Sequence, residues 1–482
     1  MSEHVAGLNR DQTLIFPETL EGYVDEENPV RFIDAFIGSL NLEKLGFTHS
    51  IPNDLGRPSY DPSDLLKLYI YGYLNQVRTS RKLENECHRN VEVMWIMKKL
   101  APDFKTIADF RKDNVDCIKG VFKEFVKFCM GLDLYGAKYI AIDGVKFKAV
   151  NSLDRNFNRD KLSYRLKVID ERVSKYLGEM EALDKEEEKA QATRELEEKL
   201  KNIMKCKEKY TDLLRKLKES DLNEVSLTDP ESRLMKNRGR IEPCYNSHVA
   251  VDDKNHLIVD YNVTNAPADN CQLSSIAKGA KETLGVEHLD AVTDKGFFNF
   301  MEIKECVDNG IVPYVPEQNR WGAGWVKKTG IPTREFSSDK FVYDKGTDTF
   351  LCPAGNRLEF SYLDHAHEKK MRVYRTDACF SCEFFLTKCT RYKRGRTVWR
   401  WEHAEVIEEM KLRMRLEPWK LKARKSIVEH PFGTIKRAFN QGYLLLKGLR
   451  KTTGEVGFTM LAYNMRRVLN MLGPKAILAL LA

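Results

Sequence analysis

The stretch YIAIDGVKFKAVNS, residues 139–152, opens with an apolar run from Tyr139 to Ile142, reaches one carboxylate at Asp143, and continues through Gly144. A short apolar run of this kind reads as a buried strand, and the glycine predicts a bend directly after the acid. A strand that ends on an acid offers either a solvated turn residue or the first ligand of a metal site. LDAVTDKGFFNF (289–300) repeats the arrangement, with Asp294 after the apolar run, then Gly296 and a helix-like run. A third acid, Glu429, lies on a helical pattern within a basic stretch. Two strand-end carboxylates and a helical one can converge on one side of a sheet. Oxygen ligands of this hardness suit Mg²⁺ or Mn²⁺. Two such ions roughly 3.5–4 Å apart activate an attacking oxygen and stabilise the leaving one. The plainer readings are a turn or cap for each Asp and an ion-pair partner for Glu429. Spacing alone leaves both open.

The flanking sequence supplies the class. CYNSHVAVD (244–252) and HLIVDYNVTN (256–265) are strand candidates joined by the turn signal DDKN, and so predict a hairpin. A helix is expected around NCQLSSIAKGAKETLG, and IVPYVPE (311–317) is a further strand. SIVEHPFGTIKRAF and VGFTMLAYNMRRVLNML mark the helices of 405–470. Upstream, residues 1–133 read mostly helical. DPSDLLKLYIYGYLNQ starts on capping residues Asp61, Pro62 and Ser63, and TIADFRKDNVDCIKGVFKEFVKFCMGL has cap candidates at Thr106 and Asp109. Residues 160–219 are highly charged, with Leu196, Leu200, Ile203, Lys207, Tyr210, Leu214 and Leu217 in a heptad seam broken by one lysine. A helical hairpin packed on itself is preferred there to an intermolecular coiled coil. Residues 318–404 are rich in Gly, Trp, Cys and short β-like runs. With the charged and Cys-rich segments set aside, the order is strand, strand, strand, helix, strand, helix, strand, helix. That order predicts mixed α/β around one central sheet.

The 482 residues suffice for two or three domains. No run of about 18 apolar residues appears, so no membrane-spanning helix and no membrane partner are expected. MSEHVAGLNRDQ lacks a basic-then-apolar leader pattern. Eleven scattered cysteines suit a reducing cytosol better than a disulfide framework. The net charge is +8, yet residues 411–451 alone hold twelve Lys or Arg against Glu417 and Glu429. A block of that sign points to a phosphate backbone and so to a nucleic-acid partner.

Taken in order, the motifs resemble a known family. GRPSYDPSDLLKLYIYGYLNQVRTSRKLE (56–84), PDFKTIADFRK (102–112), DGVKFKAVNS, YNSHVAVDDKNHLIV, VTDKGFF and VEHPFGTIKR (428–437) are similar to the successive blocks of bacterial insertion-sequence transposases of the DDE class. The resemblance implies an N-terminal helical DNA-binding domain (1–133) and an RNase H-like catalytic core (134–159, 222–317 and 405–472). The core is interrupted by a charged helical insertion (160–221) and a Cys-rich β insertion (318–404). It implies Asp143, Asp294 and Glu429 as catalytic metal ligands for two Mg²⁺ or Mn²⁺ ions. Lys436, seven residues after Glu429 and therefore about two α-helical turns on, matches the family's basic residue on the same helix. Arg424 matches the arginine before the glutamate. Lys425, Arg437 and, in the N-terminal block, Arg111 complete the expected DNA contacts. Lys146 and Lys148 are expected to face DNA as well. The family's tyrosine upstream of the arginine is missing. Leu421 stands in WKLKARK, and Trp419 is the candidate to stack in its place.

Cys352, Cys379, Cys382 and Cys389 form two short clusters, one a CxxC, of a kind that suits a structural tetrahedral Zn²⁺, with His365 or His367 as substitutes. Trp321, Trp325, Trp399 and Trp401 in or beside this insertion are read either as its core or as a wedge for DNA. The expected function is that of a cytoplasmic, nucleoid-associated DNA transposase. It would bind terminal inverted repeats, cut the element ends, and join the 3′-OH to target DNA as a homodimer in the synaptic complex. The rivals are a metal-dependent nuclease of the same fold and a non-catalytic DNA-binding derivative.

Overall fold

The computed structural model describes residues 19–51, 58–183, 190–219, 224–317, 332–365 and 370–481. Trp321, Trp325, His367 and the start of the 56–84 block lie outside them. The strands are β1 (Tyr139–Lys148), β2 (Asn156–Asn158), β3 (Glu224–Ser226), β4 (Arg233–Asn237), β5 (Arg240–Asp252), β6 (Ile258–Thr264), β7 (Leu289–Val292), β8 (Ile311–Tyr314), β9 (Val342–Asp344), β10 (Thr349–Leu351), β11 (Arg357–Asp364), β12 (Met371–Arg375) and β13 (Val398–Trp401). With helices before, between and after them, the chain is mixed α/β. It forms two compact units that are not consecutive in sequence: residues 1–136, 144–267 and 428–482, and residues 137–143 and 268–427. No helix among the described residues is long and apolar enough to cross a membrane.

In the first unit the N-terminal helices and the Leu449–Leu472 helix share a core. Phe458 stacks on Tyr69 and Tyr73 at ring distances of 5.4 and 5.1 Å. Glycines let the Leu449–Leu472 helix approach other neighbours closely. A Cβ on Gly454 would stand 2.1 Å from Val115 Cγ2 and 2.6 Å from its carbonyl oxygen, and one on Gly457 would stand 2.3 Å from the Tyr261 hydroxyl. Gly454→Ala is therefore expected to cost about 1–3 kcal/mol through overpacking, read as a lowered thermal midpoint. An unchanged midpoint would show that this contact yields without cost.

The Pro62–Leu74 helix starts where its sequence predicts, with the Asp61 carboxylate accepting from Ser63 N at 2.7 Å. The Phe104–Asp113 helix does not. Its cap is Asp103, whose Oδ1 accepts from Lys105 N and Thr106 N, so Thr106 and Asp109 lie within the helix. The predicted hairpin is present as antiparallel β5 and β6, with the Asn464 side chain bonded to both N and O of Ile258. β4 precedes it as an unpredicted third antiparallel strand. The charged insertion is two helices, Arg159–Leu183 and Ala190–Glu219, bridged by Lys207 and Asp170 at 2.7 Å. Phe157, Leu162, Leu213 and Leu217 bury its base beside the small β2–β3 ladder.

One expectation at the opening motif is overturned. The chain does not bend at Gly144: β1 runs on to Lys148. Val145 and Phe147 are alternately buried, so the strand still has a core to face. Its end is held by Lys148 N donating to Gly442 O at 3.1 Å and Leu444 N donating to Lys148 O at 2.8 Å.

In the second unit the first residues of β1 pair in parallel with β7, and β7 pairs in parallel with β8. Ile140, Ala141, Ile142, Ala291 and Val292 are fully buried, as strands of a parallel sheet are. The Cys-rich insertion carries a separate antiparallel sheet in the order β13-β12-β11-β10-β9. Its core of Phe341, Phe350, Leu358, Tyr374 and Val398 is small.

Candidate active site

The β1–β7 ladder leads to two of the three acids. Tyr139 stands opposite Asp290, Ile140 opposite Ala291 and Ala141 opposite Val292. Each acid lies two residues beyond the last of these pairs, Asp143 within β1 and Asp294 at the turn that follows β7. Crevices at the C-terminal ends of parallel strands bind ligands in open α/β sheets. Both residues are half-buried. The Asp294 Oδ1 accepts from Gly296 N at 2.8 Å and so caps the turn at Lys295–Phe297. Gly296 is required there: an added Cβ would stand 2.9 Å from Asp294 Oδ1 and 3.7 Å from Asp269 Oδ2. Asp269 is thus a further carboxylate close to Asp294. Nothing in PADN (267–270) distinguishes it from a turn residue.

An arginine faces these acids. The Arg424 Nη1 lies 3.2 Å from Asp143 Oδ2. Arg424 belongs to the Pro418–Gly433 helix, whose start is locked by Lys420, a residue that reads in sequence as one cation among many. The buried Lys420 Nζ donates to Asp290 Oδ2 at 2.6 Å and to the Tyr314 hydroxyl at 2.7 Å, and pairs with Glu417 at 2.9 Å. Burial opposes its charge, but these three partners outweigh burial and raise its pKa. The Tyr139 hydroxyl donates to Lys420 O at 2.7 Å. Arg424 follows Lys420 by four residues, one turn along the same face. The anchor that ties Lys420 to β7 and β8 therefore also aims Arg424 at Asp143. Trp419 is half-exposed, with its ring 5.9 Å from that of Tyr139.

The remaining expected contacts are scattered in character. Glu429, Lys425 and Arg437 are exposed, and Lys436 is half-buried. Lys436 and Glu429 are not joined by a continuous α-helix. The α-helix ends at Gly433 and residues 434–438 form a π turn, closed by Phe439 N donating to Thr434 O at 2.9 Å. The wider turn alters the two-turn spacing, and π segments often mark functional sites. Beside Glu429, the His430 ring bonds the Tyr463 hydroxyl at 2.8 Å and Arg467 Nη1 at 2.9 Å. Arg111 is not a surface cation. It is buried, with its guanidinium 5.2 Å from the Tyr69 ring and an N–H donated to Arg78 O at 3.3 Å. It braces the helical core, out of reach of a DNA backbone. Lys148 is exposed and pairs with Glu242 at 3.5 Å.

In the insertion the four cysteines line one cavity, and His365 is exposed and outside that lining. Trp401 is buried against Phe300, whereas Trp399 is exposed. Among the described residues, no group of three or more His, Cys, Asp or Glu is arranged to hold a metal ion. At the strand ends the donors are nonetheless of the right kind. Carboxylates supply hard oxygens, and Mg²⁺ fills its remaining positions with water and phosphate.

A model of a transposase domain (DUF772) matches residues 18–113, and a model of a transposase DDE domain matches residues 351–469. The second match takes in the four cysteines, Arg424, Glu429 and Lys436, while Asp143 and Asp294 precede it. No curated protein and no solved structure matches the chain.

Proposed function

Because its matched domains make this chain a transposase of the insertion-sequence DDE class, we propose that it binds the terminal inverted repeats of its element, cleaves the element ends and joins the 3′-OH ends to target DNA. The core is read as RNase H-like, with Asp143, Asp294 and Glu429 as ligands. Divalent ions bound there, Mg²⁺ or Mn²⁺, supply activation of the attacking oxygen and charge for the leaving one. The observation that supports the reading is the parallel β1–β7 ladder, since Asp143 and Asp294 each follow its last pair, Ala141 and Val292, by two residues. Glu429 enters as third ligand from its motif, VEHPFGTIKR.

The protein's own residues do the remaining work. Arg424 places a positive charge beside Asp143 in the DNA-free chain. Lys425, Lys436, Arg437 and Arg424 supply cations for the DNA backbone, a contribution that weakens steeply with salt. Two ends must meet before joining, which calls for a homodimer in the synaptic complex. The chain would act in the bacterial cytoplasm, at the nucleoid.

A single assay tests this. With Mg²⁺ and a labelled DNA carrying a precut element end, the protein is expected to yield a joined product on a target plasmid, and none with EDTA. Cleavage of uncut ends without any joined product would replace the transposase reading by that of a nuclease.

A further inference from the structure

The Cys-rich insertion has few means of holding itself together. Its strands are short, with three residues each in β9 and β10, and a domain with so small a core usually needs a staple. Between the β10–β11 turn and the segment joining β12 to β13 lies a cavity of about 20 Å³ lined by Cys352, Cys379, Cys382 and Cys389, all four as free thiols. That is room for about one water-sized sphere. The other walls include Phe336, Phe341 and Leu358, which offer such a sphere no hydrogen bonds.

The backbone around the cavity is shaped as metal knuckles require. The β10–β11 turn closes with Gly355 N donating to Cys352 O at 2.9 Å, and Gly355 then takes a left-handed φ of +82°. Asn356 N then donates to Cys352 Sγ at 3.3 Å. The CxxC turn closes with Cys382 N donating to Cys379 O at 3.2 Å. Gly395 presses on Cys379, since a Cβ there would stand 3.6 Å from its Sγ. Arg396 also lines the cavity, and its buried Nε has no hydrogen-bond partner.

We propose that Cys352, Cys379, Cys382 and Cys389 bind one structural Zn²⁺ that ties the β10–β11 turn to the segment between β12 and β13. Four sulfur ligands in tetrahedral array leave no open position, so the site is structural. Four thiolates around Zn²⁺ carry two net negative charges, and the buried Arg396 offsets one of them. Its unpartnered N–H becomes a donor to sulfur, the kind of outer contact that tunes such sites. Binding releases the thiol protons to solvent, forms four Zn–S bonds and involves no change of oxidation state.

The test uses the full-length chain, purified under reducing conditions without chelator. Elemental analysis is expected to find about one zinc per chain. It should be lost in the Cys379→Ser/Cys382→Ser variant and retained in Cys206→Ser, an exposed cysteine elsewhere. Should the double variant fail to fold, cobalt titration of the unmodified protein reads the site directly, through sulfur-to-cobalt charge transfer and the intense visible bands of a tetrahedral ion. No bound zinc together with no sulfur-to-cobalt absorption would overturn the proposal. So would full zinc in a folded double variant, or a Cys379–Cys382 disulfide in the purified protein.

Discussion

Asp294→Ala should eliminate Mg²⁺-dependent cleavage of an element end, by at least about a thousandfold or about 4 kcal/mol of barrier. Affinity for an inverted-repeat duplex should stay within about twofold, since the cations that meet phosphate are left in place. The size of the effect follows from what the side chain does in the second unit. It caps the turn at Lys295–Phe297, two residues beyond the last β1–β7 pair. Loss of the cap alone would cost about 1 kcal/mol of stability, which leaves the fold intact. On the proposed reading, the substitution also takes away one of the ion's oxygen donors. Asp143→Ala should match it, and the double variant should be no worse than either, because residues acting as one unit are not additive. Asp269→Ala is the control. Asp269 is a third nearby carboxylate outside the family motifs, and a comparable loss there would move the ligand assignment. Cleavage by Asp294→Ala at more than about a tenth of the normal rate would sink the metal-site reading.

How far the sequence foretold this can be argued element by element. The strands around Asp143 and Asp294 were legible because each is a short apolar run with a carboxylate attached, and burial in a parallel sheet demands that composition. The hairpin of β5 and β6 and the helical charged insertion were legible for the same local reason, one from its turn and the other from its period. What was hidden is non-local. Gly144 predicts a bend, yet Val145 and Phe147 find a core and Lys148 finds backbone partners near Gly442 and Leu444, so β1 continues. Arg111 reads as a DNA contact, and Lys420 as one cation of the basic block at 411–451. A tyrosine face and a carbonyl hold one inside, and an Asp, a Tyr and a Glu hold the other. Asp103 caps the Phe104–Asp113 helix, in place of Thr106 or Asp109, because its carboxylate accepts from Lys105 N, Thr106 N and the Thr106 hydroxyl together. Asp269 carries no signal in its own neighbourhood. It becomes visible only through the space that Gly296 leaves.

Glu455→Ala should destabilise the first unit by about 3–5 kcal/mol, the cost of removing one partner from a buried charged network. Glu455 is only 1% exposed. Its carboxylate accepts from Leu445 N at 2.9 Å and from Leu446 N at 2.8 Å, and lies 3.7 Å from Arg78 Nη1. Arg78 in turn donates to Tyr443 O at 2.9 Å and stacks on the Tyr443 ring at 4.4 Å. Nearby, Gln76 Nε2 donates to Ala438 O at 2.8 Å and Gln441 Nε2 to Tyr73 O at 3.2 Å. Residues 73–78 therefore grip the segment that follows the π turn of Lys436, and Glu455 holds that segment from its other side. Alanine would strand two buried amide N–H groups and leave Arg78 without its acid. Burial pushes the Glu455 carboxyl above its ordinary value, against the pull of Arg111 and the two amides. A neutral isostere is thus better tolerated: Glu455→Gln keeps an acceptor for the amides and should cost less than half as much as alanine. For a unit of this size the alanine variant should melt about 10 °C lower. A drop under about 2 °C would mean that the segment after the candidate catalytic helix is held by its aromatic and backbone contacts, and that the buried acid contributes little.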